Sequence, residues 1–167
     1  KSCPWPIHAV LIKCSVLKEV FGFDERWSTS MDYDLWLRLA TFRKIVRVDE
    51  VLAFYRHYVG ERVTGNRWKV ARNHWLIQKE FVKNNSQQVK YLGRARLRQL
   101  IEGELLHRAY VCYWDRDLIS ARKIFRLALG TGICGLKDLK YILPCYLPYQ
   151  LHVALLKVID KPQEIKQ

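Results

Sequence analysis

The spacing of the apolar residues changes near residue 66, and this change limits the possible folds more than any other feature. From residue 67 onward, apolar residues recur with the period of an α-helix. Before that point, short β-like runs at residues 7–13, 45–48 and 51–55 flank one helical stretch, which is predicted to run from about Ser30 to Arg43. The sequence therefore predicts an α/β segment, residues 1–66, followed by a basic α-helical extension, residues 67–167.

Three helices are predicted in the extension, each from apolar residues that share one side. The residues that carry this prediction are Val70, Ile77 and Phe81, with Trp68 and Trp75 beside them, in the first helix, Leu97, Leu100, Ile101, Leu105, Val111 and Cys112 in the second, and Leu118, Ala121, Phe125 and Ala128 in the third. Asp117 is placed to cap the third helix, and the glycines after residue 129 are expected to end it.

Composition excludes several classes of protein. The chain has 167 residues, half of them hydrophobic, so it can bury a core, and disordered, collagen-like and coiled-coil proteins are excluded. Five cysteines without a CxxC pair disfavour a disulfide scaffold or a zinc site and fit a reducing compartment. The longest uncharged stretch, residues 141–156, contains Pro144 and Pro148 and is too short to span a bilayer.

The β-like part is expected to be incomplete. Three short strands expose their edges when they are isolated, so further strands are expected upstream of residue 1. The first residues also contain neither an initiator Met nor the apolar run of a signal peptide. The sequence thus predicts a chain that begins within a longer α/β domain.

Three ordered motifs carry the most specific signal in the sequence. They are Gly22-Phe23-Asp24-Glu25, Met31-Asp32-Tyr33-Asp34-Leu35-Trp36-Leu37-Arg38-Leu39 and Val51-Leu52-Ala53-Phe54-Tyr55-Arg56-His57. In this order they resemble the C-terminal part of the catalytic domain of family-2 glycosyltransferases, over residues 7–66. The resemblance implies an α/β, GT-A-like nucleotide-diphospho-sugar transferase domain, which transfers a sugar from a nucleotide-sugar donor to an acceptor hydroxyl with inversion.

Asp32 is the candidate catalytic residue. Inverting transfer needs a base opposite the leaving diphosphate, because the acceptor oxygen loses its proton as it attacks. In the family this base is the first carboxylate of the motif, which Asp32 matches. The alternative is that Asp32 and Asp34 only stabilise the helix N-terminus, by about 0.3–1 kcal/mol each. Asp34 lies about 200° further round the helix than Asp32, so the two acids cannot both face one acceptor. We predict that Asp34 instead pairs with Arg38, four residues later.

Five further residues are candidates for substrate binding. Gly22, Phe23 and Asp24 form a predicted sharp turn, which in the family borders the acceptor side of the cleft. The alternative is a turn that needs glycine only for its backbone angles. Trp36, one turn beyond the candidate base, could present its ring to a sugar, although a tryptophan on an apolar helix is more often part of the core. Arg56 ends a predicted strand, where its guanidinium could neutralise a diphosphate oxygen.

The resemblance also implies a divalent cation, Mg²⁺ or Mn²⁺, which offsets charge on the leaving diphosphate. The main ligands of this cation and the nucleotide-binding half of the domain are expected upstream of residue 1. Asp115-Arg116-Asp117 is not a candidate for these ligands, because it falls between two predicted helices. His57 is a further candidate ligand. Many relatives place this histidine two positions after the arginine, where this chain has Tyr58, and a lone histidine is more often structural. The chain alone is therefore expected to be inactive.

The basic extension favours a second class of function. Residues 67–98 contain nine Lys and Arg and one acid, Glu80. This charge is compatible with an anionic membrane surface, a lipid-linked acceptor, nucleic acid or a solvated helix face, with nucleic acid the least favoured. The leading prediction is a glycosyltransferase of cell-envelope polysaccharide biosynthesis that acts on a glycan or lipid-linked acceptor, cytoplasmic and peripheral at the inner face of the membrane. The alternative is a non-catalytic binding module.

Overall fold

Helices and the turns between them make up the regular secondary structure of the described residues. The structure is a computed structural model and describes residues 5–54 and 65–159. Its α-helices are α1 (Cys14–Glu19), α2 (Met31–Ala40), α3 (Arg67–Asn84), α4 (Ser86–Val89), α5 (Gly93–Trp114), α6 (Leu118–Gly130), α7 (Leu139–Ile142) and α8 (Tyr149–Ile159). Single turns of 3-10 helix lie at Ile7–Ala9, Lys90–Leu92, Leu136–Asp138 and Leu143–Tyr146. Neither of the two described ranges contains a strand.

The predicted α/β, GT-A-like fold class is therefore wrong for the part of the chain that the structure describes. Residues 7–9 form a helical turn, and residues 45–48 and 51–54 are irregular. A strand forms only when a neighbouring strand accepts and donates its backbone hydrogen bonds. None of the described residues supplies such a neighbour, so Val46, Val51 and Phe54 stay largely exposed.

The chain divides into two compact units, residues 1–104 and 105–167. Helix α3, which opens the predicted extension, packs against α2 inside the first unit. The predicted domain boundary after residue 66 stays a prediction.

The first unit has a small apolar core around α2. Its buried members are Val20, Leu35, Trp36 and Leu39, and the partly buried Trp5, Val10, Ile12, Val16 and Leu17 pack against them. Helix α2 begins at Met31, as the sequence predicts, and a final turn carries the chain to Arg43, whose backbone N–H donates to the carbonyl oxygen of Leu39.

The sequence predicts that a hydroxyl within Ser28 to Ser30 caps the start of α2, and the structure contradicts this at the N-cap residue, Ser30. Ser30 has a left-handed backbone, with φ of 64°, and its side chain makes no capping hydrogen bond. The carboxylate of Asp32 instead accepts a hydrogen bond of 2.8 Å from the backbone N–H of Tyr33. An acid in the first turn thus takes the place of the predicted serine cap.

The second unit is built on the helix that the sequence predicts best. Asp117 accepts a hydrogen bond of 3.1 Å from the backbone N–H of Ser120, which confirms the predicted cap of α6. The predicted apolar side of α6 is buried, namely Leu118, Ala121, Phe125 and Ala128. In α5 the prediction is only partly confirmed, because Ile101, Leu105 and Cys112 are buried whereas Leu100 and Val111 are exposed.

None of the helices in the described part of the chain has both the length and the apolar content that crossing a bilayer requires.

Candidate functional site

The candidate site begins at the turn that ends α1. The backbone N–H of Gly22 donates to the carbonyl of Leu17, and that of Phe21 to the carbonyl of Lys18, which is the Schellman pattern of a helix C-terminus. Phe21 and Gly22 both have a left-handed backbone, with φ of 59° and 68°. The structure thus confirms a sharp turn in which Gly22 adopts backbone angles that favour glycine.

Arg38 ties this turn to α2. Its guanidinium donates to the carbonyl oxygen of Val20 at 2.5 Å and to that of Gly22 at 2.8 Å. Its Nε donates to Oδ2 of Asp34, also at 2.8 Å. One side chain therefore satisfies two carbonyls that the end of α1 leaves without helical partners.

The predicted ion pair between Asp34 and Arg38 is confirmed, with a distance of 2.8 Å between carboxylate and guanidinium. The Asp34 side chain is only 15% exposed. Burial raises the pKa of Asp34 above its usual value, although the adjacent Arg38 acts in the opposite direction. This carboxylate therefore has a structural partner and a partly desolvated environment.

Asp24, another predicted substrate-binding residue, lies in a second ionic cluster. Arg26 donates to Oδ2 of Asp24 from Nη2 at 2.6 Å and from Nε at 2.9 Å. The same guanidinium bridges to Glu80 on α3 at 2.9 Å. Hydrogen bonds from Arg26 hold the pKa of Asp24 below its usual value. Asp24 is thus ionised and already paired.

Helix α3 supports the first turn of α2 through polar contacts. Asn73 donates to Oγ1 of the buried Thr29 at 2.8 Å. The ring of Tyr33 stacks on that of His74, with centroids 4.3 Å apart, and its hydroxyl accepts a hydrogen bond from Gln78 at 3.0 Å. Both ends of the segment from Thr29 to Tyr33 are therefore held by side chains of α3.

Asp32 lies between these two anchored positions. Its side chain is partly buried, and its carboxylate accepts the hydrogen bond from the Tyr33 backbone. Among the described residues, no basic side chain forms an ion pair with it, whereas Arg38 pairs with Asp34. The two acids of this helix turn thus differ: Asp34 is paired with a cation, whereas Asp32 accepts a hydrogen bond from the backbone of the next residue.

The remaining candidate residues differ in how deeply they are buried. Trp36 is 6% exposed, and its Nε1 donates to the carbonyl of Trp5 at 3.2 Å, so its ring is part of the core beneath α2. This burial favours the core interpretation of Trp36 over binding of a sugar ring. Phe23 is partly exposed, at 38%, beside the turn. Arg56 and His57 lie outside the described residues.

The described residues do not fit a divalent cation. No group of three or more His, Cys, Asp and Glu side chains within them could hold a metal ion. Asp115 and Asp117 flank the turn between α5 and α6, where Asp117 serves as the cap.

Sequence reasoning missed the supporting residues on α3. Asn73 and His74 are buried on the same helix as Ala71 and Ile77. Polar side chains are seldom buried without partners, so polar residues within an otherwise apolar helix side are the signal that could have revealed a contact with another element.

Comparisons of the chain with protein-family models, with curated proteins and with solved structures find no match.

Proposed function

We propose that this chain carries the acceptor-side base of an inverting glycosyltransferase, and that Asp32 is this base. The observation that carries the proposal is the difference between the two acids of α2. Asp34 is paired with Arg38 at 2.8 Å, whereas Asp32 forms no ion pair among the described residues. A general base must have a carboxylate oxygen that can accept the proton of a hydroxyl, and a bound cation would compete for that oxygen. The three ordered motifs of the resemblance add support.

The anchoring of α2 gives this base a fixed position. Asn73 holds Thr29, and His74 and Gln78 hold Tyr33, so the backbone on both sides of Asp32 is fixed. Transfer rates depend strongly on such positioning, because a base must lie within hydrogen-bond reach of the proton that it removes. The acceptor hydroxyl would give its proton to Asp32 as its oxygen attacks the anomeric carbon, and the bond from that carbon to the nucleoside diphosphate would break, so that the diphosphate leaves with the bonding electron pair.

Other parts of the proposal concern partners and location. The nucleotide-sugar donor, and Mg²⁺ or Mn²⁺ if the reaction uses it, would be held by residues other than the described ones, since these offer no suitable donor set. The acceptor would be a glycan or a lipid-linked glycan, in cell-envelope polysaccharide biosynthesis at the inner face of the cytoplasmic membrane.

Transfer assays with matched aspartate variants test the proposal. The protein that contains this chain is incubated with UDP-, GDP- and dTDP-linked sugars and a cell-envelope lipid and glycan extract, and nucleoside diphosphate release is measured. Asp32→Asn should lower the transfer rate by about 10²- to 10⁴-fold, as expected for loss of a general base. Asp34→Asn is the matched control and should mainly lower the midpoint of thermal unfolding.

Two results would contradict the proposal. One is a near-normal transfer rate in Asp32→Asn. The other is the absence of acceptor-dependent diphosphate release by the unsubstituted protein with every donor.

The alternative is a non-catalytic module that binds through the basic segment 67–98. Arg94 and Arg96 are exposed, where their guanidinium groups could contact phosphates. However, Trp68, Trp75 and Phe81 are all partly buried in α3, and Tyr91 is the strongly exposed aromatic residue of the segment. Stacking on bases needs exposed rings, so this arrangement favours phosphate contact without base recognition. Binding to single-stranded oligonucleotides that falls steeply with salt would support the alternative.

A further inference from the structure

Helix α8 has apolar residues on two sides. Its inner side buries His152 and Leu156. Its outer side exposes Leu151 and Leu155, which are 57% and 39% exposed and lie one turn apart. A helix at a water-exposed surface normally carries polar residues on its outer side. The outer side of α8 is therefore suited to a second apolar environment.

The segment that precedes α8 also exposes large apolar side chains. Pro144 and Pro148 interrupt this segment, which includes the 3-10 turn Leu143–Tyr146. Together with the outer leucines of α8, its exposed side chains make up what we term the leucine–tyrosine face: Leu143, Tyr146, Leu147, Leu151 and Leu155. Five such residues within thirteen positions exceed the scattered apolar exposure of an ordinary surface.

Two arginines of α6 border this face. Arg122 donates to the carbonyl of Leu147 at 2.5 Å, and its guanidinium lies 5.8 Å from the ring centre of Tyr149. Arg126, one turn further on, donates to the carbonyl of Cys145 and lies 5.1 Å from the ring centre of Tyr146. Arg122 is thus bonded to the backbone of Leu147, and Arg126 lies beside the ring of Tyr146.

The surrounding charge is positive. From residue 118 to residue 156 the chain carries five cationic residues, which are Arg122, Lys123, Arg126, Lys137 and Lys140. Asp138 is the single acid in this range. It is buried, and it accepts hydrogen bonds from the hydroxyl of Tyr110 at 2.5 Å and from the backbone N–H of Gly135 at 2.7 Å. No acidic side chain in this range is therefore left at the surface to offset the cations.

We propose that the leucine–tyrosine face docks onto the surface of an anionic lipid bilayer. Leucines enter the boundary of the acyl chains, tyrosines occupy the headgroup level, and arginines and lysines meet anionic lipid phosphates. No described helix is able to cross the bilayer, so α8 lies in its plane. A second copy of the chain would bring the same cations against each other, and a nucleic acid offers no apolar phase for the leucines. This inference does not depend on the transferase activity.

Vesicle sedimentation of the full chain tests this docking. The probes are phosphatidylcholine vesicles with and without about 30 mol% phosphatidylglycerol. The unsubstituted chain should sediment with the anionic vesicles only, and this binding should weaken as sodium chloride rises from about 0.1 to 0.5 M. Leu151→Ser/Leu155→Ser should weaken the partitioning by about tenfold or more.

A matched control separates this face from general loss of apolar surface. Leu11→Ser/Leu52→Ser removes two leucines that are at least as exposed, from the first unit, and should leave the partitioning unchanged. The proposal is overturned if the unsubstituted chain ignores anionic vesicles or if both double variants bind equally. Self-association that only Leu151→Ser/Leu155→Ser abolishes, without vesicle binding, would assign the face to a second copy instead.

Discussion

Different kinds of contact are prominent inside each of the two compact units. In the first unit, residues far apart in sequence meet largely through polar side chains, as in the pairs Arg26–Glu80 and Thr29–Asn73. In the second unit, α6 buries its apolar side completely, and aromatic rings surround Phe125. The comparison teaches that the segment with the candidate base is tied to α3 by individual hydrogen bonds, whereas α6 is held mainly by packing. Substitutions can test this difference.

The largest effect is expected from Phe125→Ala in the second unit. Phe125 is fully buried, and its ring makes T-shaped contacts with those of Tyr110 and Tyr113, with centroids 5.1 and 6.3 Å apart. Truncation leaves a cavity, so the free energy of unfolding should fall by about 3–5 kcal/mol. Urea denaturation followed by circular dichroism measures this change, and a loss below about 1 kcal/mol would contradict the packing interpretation.

Arg38→Met should have the largest effect in the first unit. It leaves the Asp34 carboxylate and the carbonyls of Val20 and Gly22 without their donor, which should cost about 2–3 kcal/mol. The matched control is Arg47→Met, because Arg47 pairs with Asp49 on the surface. Denaturation midpoints that move equally in both variants would show that the contacts of Arg38 contribute little.

Asn73→Leu tests a single buried hydrogen bond. The substitution leaves the hydroxyl of Thr29, which is 2% exposed, without its donor, and should destabilise the chain by about 1–2 kcal/mol. Adding Thr29→Val removes the other partner and should restore part of the loss. If the double variant is as unstable as the sum of the two single variants, the two side chains are not coupled.

Gly22→Ala should destabilise the first unit by about 1 kcal/mol. No atom lies within 4 Å of the position that the added Cβ would occupy, so the left-handed backbone alone carries this cost. Gly130, at the end of α6, also has open space around it but is not among the residues with positive φ. Gly130→Ala is therefore the control, and thermal melts should show no loss in that variant.

The smallest effect is expected from mild acid acting on the second unit. His152 is fully buried, with Nδ1 3.2 Å from Nη1 of Arg122, and burial, with Arg122, lowers its pKa below the usual 6.5. The unfolded chain therefore binds a proton at this histidine more readily than the folded chain does. The free energy of unfolding should be at its highest above about pH 6.5 and should fall as the pH drops towards the lowered pKa of the folded state. Denaturation midpoints across this range should show a dependence that His152→Gln removes.

Local signals explain what the sequence predicted correctly. Asp117 and the apolar side of α6 lie within one helix, and the pair of Asp34 and Arg38 spans a single turn, so neighbouring residues suffice to specify them. The β-like runs were predicted wrongly because a strand depends on a partner distant in sequence. Local patterns do not reveal whether that partner is present.

The candidate site shows the same limit. The sequence identified Asp32 and the turn at Gly22, but it did not identify Asn73 or Gln78, which contact α2 across 44 and 45 residues. Hydrogen bonds over such separations leave no periodic pattern in a single sequence. The start of α2 was also not predicted correctly, since Ser30 has a left-handed backbone in place of the extended one that a capping residue usually adopts, and its side chain makes no capping hydrogen bond.

The irregular segment after α2 has a consequence for handling the protein. Its exposed large apolar residues are Ile45, Val46, Val48, Val51, Leu52 and Phe54. Such β-branched and aromatic runs are templates for intermolecular strand pairing, the first step of aggregation. The pair of Arg47 and Asp49, at 2.6 Å, and Glu50 interrupt the run with charge. Concentrated salt screens these charges. The protein should therefore precipitate more readily in concentrated salt than in dilute salt, through strand pairing that begins at this segment.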